Sequence, residues 1–128
     1  MPVRVELIDE AVADLAALAE SGLLPLFLKK LLRVEAEGKN AGLPLGRGLT
    51  GWRKIVVGDR NWRIVFTVNA EETVATVWVV GDREDAECYE QAQRRIDRLG
   101  RGQPQAASLA AAMLQILQSD RKGRKGRR

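Results

Sequence analysis

The chain has no histidine, so the side chain that most often moves protons near neutral pH is missing from any enzymatic reading. Its single cysteine, Cys88, excludes an internal disulfide, and without a cluster of cysteine and histidine there is no zinc site to assemble. Long apolar runs are also missing. The longest uncharged stretch, residues 102–119, holds Pro104 and four glutamines and makes a poor membrane span. Glu6, Asp9, Glu10, Asp14 and Glu20 stand where a secretory signal would have its apolar segment, so the expectation is a soluble cytoplasmic protein. At 128 residues the length suits one domain, enough to bury roughly two-thirds of the unfolded surface.

Charge is plentiful, and it is partitioned. The net +4 divides into −2 over residues 1–45, +4 over 46–69, −4 over 70–100 and +6 over 101–128. Basic charge therefore collects in one central segment and in the C-terminal tail, which points to contact with a polyanion at defined places. The plainer reading is a solvated strand face and a solubilising tail.

The periodicity predicts the elements. Residues 2–7 alternate Val3, Val5 and Leu7 with Arg4 and Glu6, the pattern of a half-buried edge strand. Asp9 is placed to cap a helix whose apolar side is Ile8, Ala11, Val12, Leu15 and Leu18, stopped by Ser21-Gly22. A second helix begins near Pro25, presents Phe27, Leu28, Leu31 and Val34, and ends at Gly38. Residues 40–50 read as a loop. The period then becomes two: residues 52–57 and 62–68 flank the turn sequence GDRN, and a third strand covers 73–80. Asp82 is the candidate cap of a helix over about 83–99, residues 100–105 form a linker, and a further helix spans 104–119. The closing RKGRKGRR is expected to be disordered. The fold class that follows is α+β: an N-terminal helical hairpin packed on a small antiparallel sheet of about four strands, followed by C-terminal helices. Residues 1–100 form the main domain, and 101–128 an added helix with a basic tail.

The segment GWRKIVVGDRNWRIVFTV, residues 51–68, sets Arg53, Lys54, Arg60 and Arg63 along two short strands, and VVGDREDAECYEQAQRR adds Arg83 and Tyr89. A sheet face gathering these groups suits the gripping of phosphates. The order and spacing of these motifs, over about residues 3–98, resemble the RelE/ParE toxin superfamily, and within it the RelE-like branch, whose members cleave mRNA in the ribosomal A site. The resemblance implies Lys54, Arg63, Arg83 and Tyr89 as catalytic residues. Arg53, Arg60, Arg47 and Arg94 are further cations expected to contact RNA. Where some RelE-like members carry a second lysine two residues past the first, this chain has Val56, and Arg53 or Arg60 is the candidate replacement.

The chemistry implied is attack of an RNA 2′-hydroxyl on the adjacent phosphate, which needs in-line orientation, a proton acceptor and stabilisation of charge on phosphorus. Tyr89, a phenol set among cations, is the candidate base; Arg83 would stabilise the leaving oxygen; Lys54 and Arg63 would clamp the phosphate. Six helical residues turn the chain by about 600°, so Arg83 and Tyr89 converge only where Arg83 belongs to the strand end or turn. Tyr89 has an alternative place on the buried side of its helix with Ala92, Ile96 and Leu99. Trp52, Trp62 and Trp78 are read as packing residues, and Arg94, Arg95 and Arg98 as a solvated helix face. The resemblance further implies a cognate antitoxin protein as partner in a hetero-oligomer, mRNA and the ribosome with its 16S rRNA as targets, and no cofactor or metal. The competing readings are a non-enzymatic ParE-like toxin that inhibits DNA gyrase and a catalytically degenerate homologue that only binds RNA.

Overall fold

A computed structural model of the chain describes residues 2–19, 21–45, 51–58, 62–82, 85–99 and 106–126. The elements run β1 (Arg4–Ile8), α1 (Asp9–Ala17), α2 (Leu24–Glu37), a short 3-10 turn (Gly38–Ala41), β2 (Leu43–Pro44), β3 (Trp52–Val57), β4 (Trp62–Val68), β5 (Val74–Gly81), α3 (Asp85–Leu99), β6 (Ala106–Ser108) and α4 (Leu109–Gly126). The six strands form one sheet in the order β2-β3-β4-β5-β1-β6. The α+β class holds, while the sheet is larger than the expected four strands and is not purely antiparallel, because β1 runs parallel to β5.

The outer strands account for the difference. β1 is no edge strand: β6 pairs along its far side, Glu6 against Ser108 and Ile8 against Ala106. β1 therefore has both edges paired, while one of its faces carries exposed Arg4 and half-buried Glu6, as the alternation of its sequence implies. At the other end β2, within the expected loop, pairs Leu43 with Lys54 and Pro44 with Arg53. Two-residue strands carry too little periodicity to be read from sequence. The C-terminal part also departs from expectation. Residues 106–108 are extended before α4 begins, and α4 continues to Gly126, so most of the basic tail is helical. Extending an existing helix costs far less than nucleating one, and cations complement the negative end of its dipole.

The connections follow their local chemistry. Ile8, extended, precedes the first turn of α1 with no side-chain cap, so Asp9 serves as a first-turn anion and not as the cap. Pro25 sits in the first turn of α2, and Gly38 ends that helix at φ 64°, a conformation that favours glycine. Asn69 organises the β4–β5 turn, its side-chain oxygen accepting from the backbone N–H groups of Thr73 and Val74 at 2.8 and 2.9 Å. The turn residues 59–61 and the linker 100–105 lie outside the described residues.

The sheet separates two cores. One face packs Ile64, Phe66 and Val77 against Leu15 of α1, Phe27 and Leu31 of α2 and Ile116 of α4, all buried. Each large side chain so buried contributes about 1.5–3 kcal/mol of hydrophobic stabilisation. The other face carries a much smaller cluster, Val65 and Val79 under Cys88 and Ala92 of α3, with Leu45 beside them. The molecule thus has three layers, with the helical hairpin on one side and α3 on the other.

Candidate nucleic-acid interface

Strand alternation decides which cations meet. Ile55 and Val57 of β3 belong to the large core, as do Ile64 and Phe66 of β4. Lys54 and Arg63 therefore point to the opposite face, the one α3 partly covers. The register pairs Lys54 with Val65 and Val56 with Arg63. Lys54 and Arg63 are diagonal neighbours on one face, about 7–8 Å apart at the backbone. Both are half-buried, as is Tyr89 on α3.

Tyr89 reaches this face through aromatic packing. Its ring stands edge-on to Trp52 at a centroid distance of 6.1 Å, and Trp52 lies 6.0 Å from Trp78. The phenol oxygen donates to Oε1 of Gln93, one helical turn on, at 3.3 Å. Tyr89 is thus at the rim of the small core, neither sealed inside it nor detached from it. Trp78 is fixed in turn by its indole N–H, which donates to Thr67 Oγ1 at 2.9 Å. The pairing of β4 with β5 jumps between Val65–Val79 and Phe66–Val77, which leaves Trp78 as the extra residue of a β-bulge. Trp52 and Trp78 do the packing expected of tryptophans, and in doing so they set the position of the phenol.

The other expected residues fall differently. Arg53 stands on the face opposite Lys54, with its guanidinium donating to the carbonyl oxygens of Lys39 (3.1 Å) and Gly42 (2.6 Å). Adjacent strand residues point to opposite sides, so Arg53 fixes the segment leading into β2 and does not stand in for the missing second lysine. Arg94 is exposed on α3. Arg47, Arg60 and Arg83 lie outside the described residues. The solvated face expected of Arg95 is a correction: Arg95 is buried, with Nη1 donating to Asp14 Oδ2 (2.8 Å) and to the Trp78 carbonyl (2.7 Å). Glu10 pairs with both Arg95 and Arg98. The sequence carries a sign of this contact in two acids spaced i, i+4 on α1 and two arginines spaced i, i+3 on α3.

Among the described residues no group of acidic, cysteine or histidine side chains is arranged to hold a metal ion. A cleft of about 330 Å³ lies between α1, Trp62 and the end of β5, lined by Asp14, Ser21 and Asp82 among others. Its carboxylates have the wrong sign for RNA, and it includes none of Lys54, Arg63 and Tyr89.

No protein-family model matches the chain, and no curated protein matches it. Solved structures do. A double arginine-to-alanine mutant of the E. coli toxin RelE, in the free state, superposes with a TM-score of 0.61 at 28% identity, covering 75% of this chain and 99% of that one. The chain belongs to the RelE-like toxin superfamily. The same RelE mutant in complex with a peptide of the antitoxin RelB gives a TM-score of 0.53 over the same shares of each chain. The RelBE2 toxin–antitoxin complex of M. tuberculosis gives 0.54 at 24% identity, over 65% of this chain and all of its counterpart, a likeness of fold. In this RelE-like frame, three of the four positions expected to be catalytic lie on one face of the sheet, and the fourth, Arg83, is among the residues not described.

Proposed function

We propose that the chain is the toxin of a type II toxin–antitoxin pair and acts as a ribosome-dependent mRNA endonuclease. The observation that carries this reading is the shared face of Lys54, Arg63 and Tyr89, two cations at diagonally neighbouring strand positions on the side of the sheet where the Tyr89 phenol packs at the rim of a hydrophobic patch. In the proposed reaction Tyr89 accepts the proton of a 2′-hydroxyl whose oxygen attacks the neighbouring phosphorus. The bond from phosphorus to the 5′-oxygen breaks, and that oxygen takes a proton from water, leaving a 2′,3′-cyclic phosphate and a 5′-hydroxyl. Lys54 and Arg63 balance the added charge on the phosphate, and Arg83 stabilises the departing oxygen. Arginine is a poor acid, so its role is charge and not proton donation.

Three or four side chains cannot by themselves hold a flexible strand in line for attack, and such alignment supplies much of the rate. The ribosome supplies it here by presenting an extended mRNA, so free RNA is cut slowly. The antitoxin acts by covering this face. The deciding experiment is primer extension on cellular mRNA after induction of the chain, with and without its antitoxin. Cuts in phase with codons, suppressed by the antitoxin and lost in Lys54→Ala, are expected. Growth arrest with intact mRNA and a DNA-damage response would instead mean a gyrase-directed toxin.

A further inference from the structure

Tyr89 is the chain's single tyrosine, and two further polar side chains follow it along α3 at helical spacing. Tyr89, Gln93 and Asp97 stand at i, i+4 and i+8, so they fall within about 80° of arc on one side of the helix. Their polar ends are joined in series. The phenol donates to Gln93 Oε1 at 3.3 Å, and Gln93 Nε2 donates to Asp97 Oδ1 at 3.2 Å. The second bond decides the first. An amide can present either its oxygen or its nitrogen to a neighbour, but a carboxylate only accepts. Asp97 therefore takes the nitrogen end and leaves the oxygen for the phenol. Exposure declines along the same line, from exposed Asp97 to half-buried Gln93 and Tyr89.

Packing alone does not set the direction of the hydroxyl. Trp52, whose ring plane stands at 88° to that of Tyr89, holds the phenol ring in place. A ring contact still lets the hydroxyl turn about its C–O bond between two in-plane positions. Gln93 distinguishes them by accepting the proton on one side. We propose that Gln93 is a positioning residue that sets the direction of the Tyr89 hydroxyl, with Asp97 holding Gln93 in the resting orientation. This rests on the reading of Tyr89 as the base of an RNA-cleaving site and adds to it the groups that orient that base. With one side of the phenol oxygen occupied by Gln93, the other side is left to accept from a 2′-hydroxyl. Gln93 takes no proton itself. Once the phenol has released its proton to water, the same amide, turned over, donates Nε2 to the phenolate from the same side. A carboxylate in its place would repel that charge, and an apolar side chain would hold neither form. The bond to the phenol is longer than the usual O–H···O range of about 2.5–3.0 Å, so its direction depends on an amide that is itself held from behind.

The test uses the full chain and the variants Gln93→Met, Asp97→Ala and Gln93→Met/Asp97→Ala. With a single tyrosine in the chain, the tyrosine doublet of the Raman spectrum reports this one hydroxyl, and its intensity ratio separates a phenol that mainly donates from one that also accepts. The parent is expected to show the donor ratio, Asp97→Ala a ratio shifted away from it, and Gln93→Met a ratio shifted further. In the double variant the Asp97 change adds nothing, because Asp97 acts through Gln93. On programmed ribosomes Gln93→Met is expected to lower kcat about two- to tenfold, the rate equivalent of one ordinary hydrogen bond, with KM for the ribosome unchanged. An unchanged doublet in Gln93→Met overturns the proposal. So does a parental kcat, and a raised KM beside it would make Gln93 a contact to RNA instead. Should circular dichroism show that Gln93→Met does not fold, Asp97→Ala, at an exposed position, decides by itself, and a parental doublet there overturns the proposal. If ribosomes are not cut by the parent but the doublet shifts as stated, the orientation of the hydroxyl by Gln93 stands and the endonuclease reading fails. If ribosomes are cut and the doublet ignores Gln93, the reverse holds.

Discussion

Asp14 and Arg95 form a forked ion pair, 2.8 and 3.1 Å long, that closes the open end of strand β5. β1 pairs with β5 only as far as Leu7 opposite Val77, after which the chain turns into α1. Beyond that point the edge of β5 is completed by side chains. Asp14 Oδ2 accepts from the Val80 N–H at 3.0 Å, and Arg95 donates to the Trp78 carbonyl at 2.7 Å. One salt bridge thus replaces a missing strand and ties α3, with Tyr89 on it, to α1 on the far layer. Because the apolar contact beneath α3 is small, this latch carries much of that helix's attachment.

Removing one partner leaves a buried charge without its counterion. Arg95→Met is therefore expected to lower stability by about 3–5 kcal/mol. The double variant Asp14→Leu/Arg95→Met should cost less than the sum of the two single changes, since no lone charge remains and only the bonds to β5 are lost. Urea denaturation of the four proteins measures this coupling. Additive losses would mean that the pair contributes nothing beyond its separate contacts.

A second prediction concerns Gly42. A Cβ built there would sit 2.8 Å from the Lys54 carbonyl oxygen and 2.9 Å from the Phe66 ring. Its φ of −122° is ordinary, so the need for glycine comes from close approach and not from backbone strain. Gly42→Ala must displace either the core ring of Phe66 or the strand that carries Lys54. Overpacking of this kind costs about 1–3 kcal/mol. Thermal unfolding should register the loss, and a stability equal to the parent's would show that the segment before β2 yields freely.

The hairpin strands and the two N-terminal helices were legible in the sequence because each rests on a local period, whereas Arg53, grouped there with Lys54 and Arg63, stands on the other side of the sheet. Two-residue alternation in WRKIVV and WRIVFTV assigns every side chain to a side, and the same rule separates Arg53 from Lys54. Features that depend on distant partners were not legible. β6 is a strand only because β1 offers it an edge, and Ala106-Ala107-Ser108 has no strand signal of its own. Arg95 looks like its exposed neighbour Arg94 until α1 is folded against it. Tyr89 lay between, since its side of the helix could be counted but its contact with Trp52 depends on where α3 docks.

Tyr89→Phe separates packing from chemistry. The ring keeps its contact with Trp52, and the hydrogen bond lost is a long, half-buried one to Gln93. Stability should therefore change by no more than about 0.5–1 kcal/mol. Cleavage on the ribosome should fall by about 10²–10⁴, the usual contribution of a positioned general base. If Tyr89→Phe cuts at the parental rate, the phenol oxygen has no part in the reaction and the residue is purely a packing element.

Val56 offers the converse experiment, a gain. It lies on the same strand face as Lys54 and directly opposite Arg63 in the register. Val56→Lys would place a third cation on the proposed phosphate-binding face, at the position where some RelE-like members have one. Like charges facing each other across paired strands destabilise by about 0.2–1 kcal/mol. The same charge, meeting a phosphate that gains negative charge in the transition state, supplies a charge-assisted hydrogen bond of about 1.5 kcal/mol, or roughly a tenfold rise in rate. The variant should thus be slightly less stable and measurably faster, with melting temperature and ribosome cleavage moving in opposite directions. A slower enzyme, or one changed only in stability, would place the scissile phosphate away from this pair of strands.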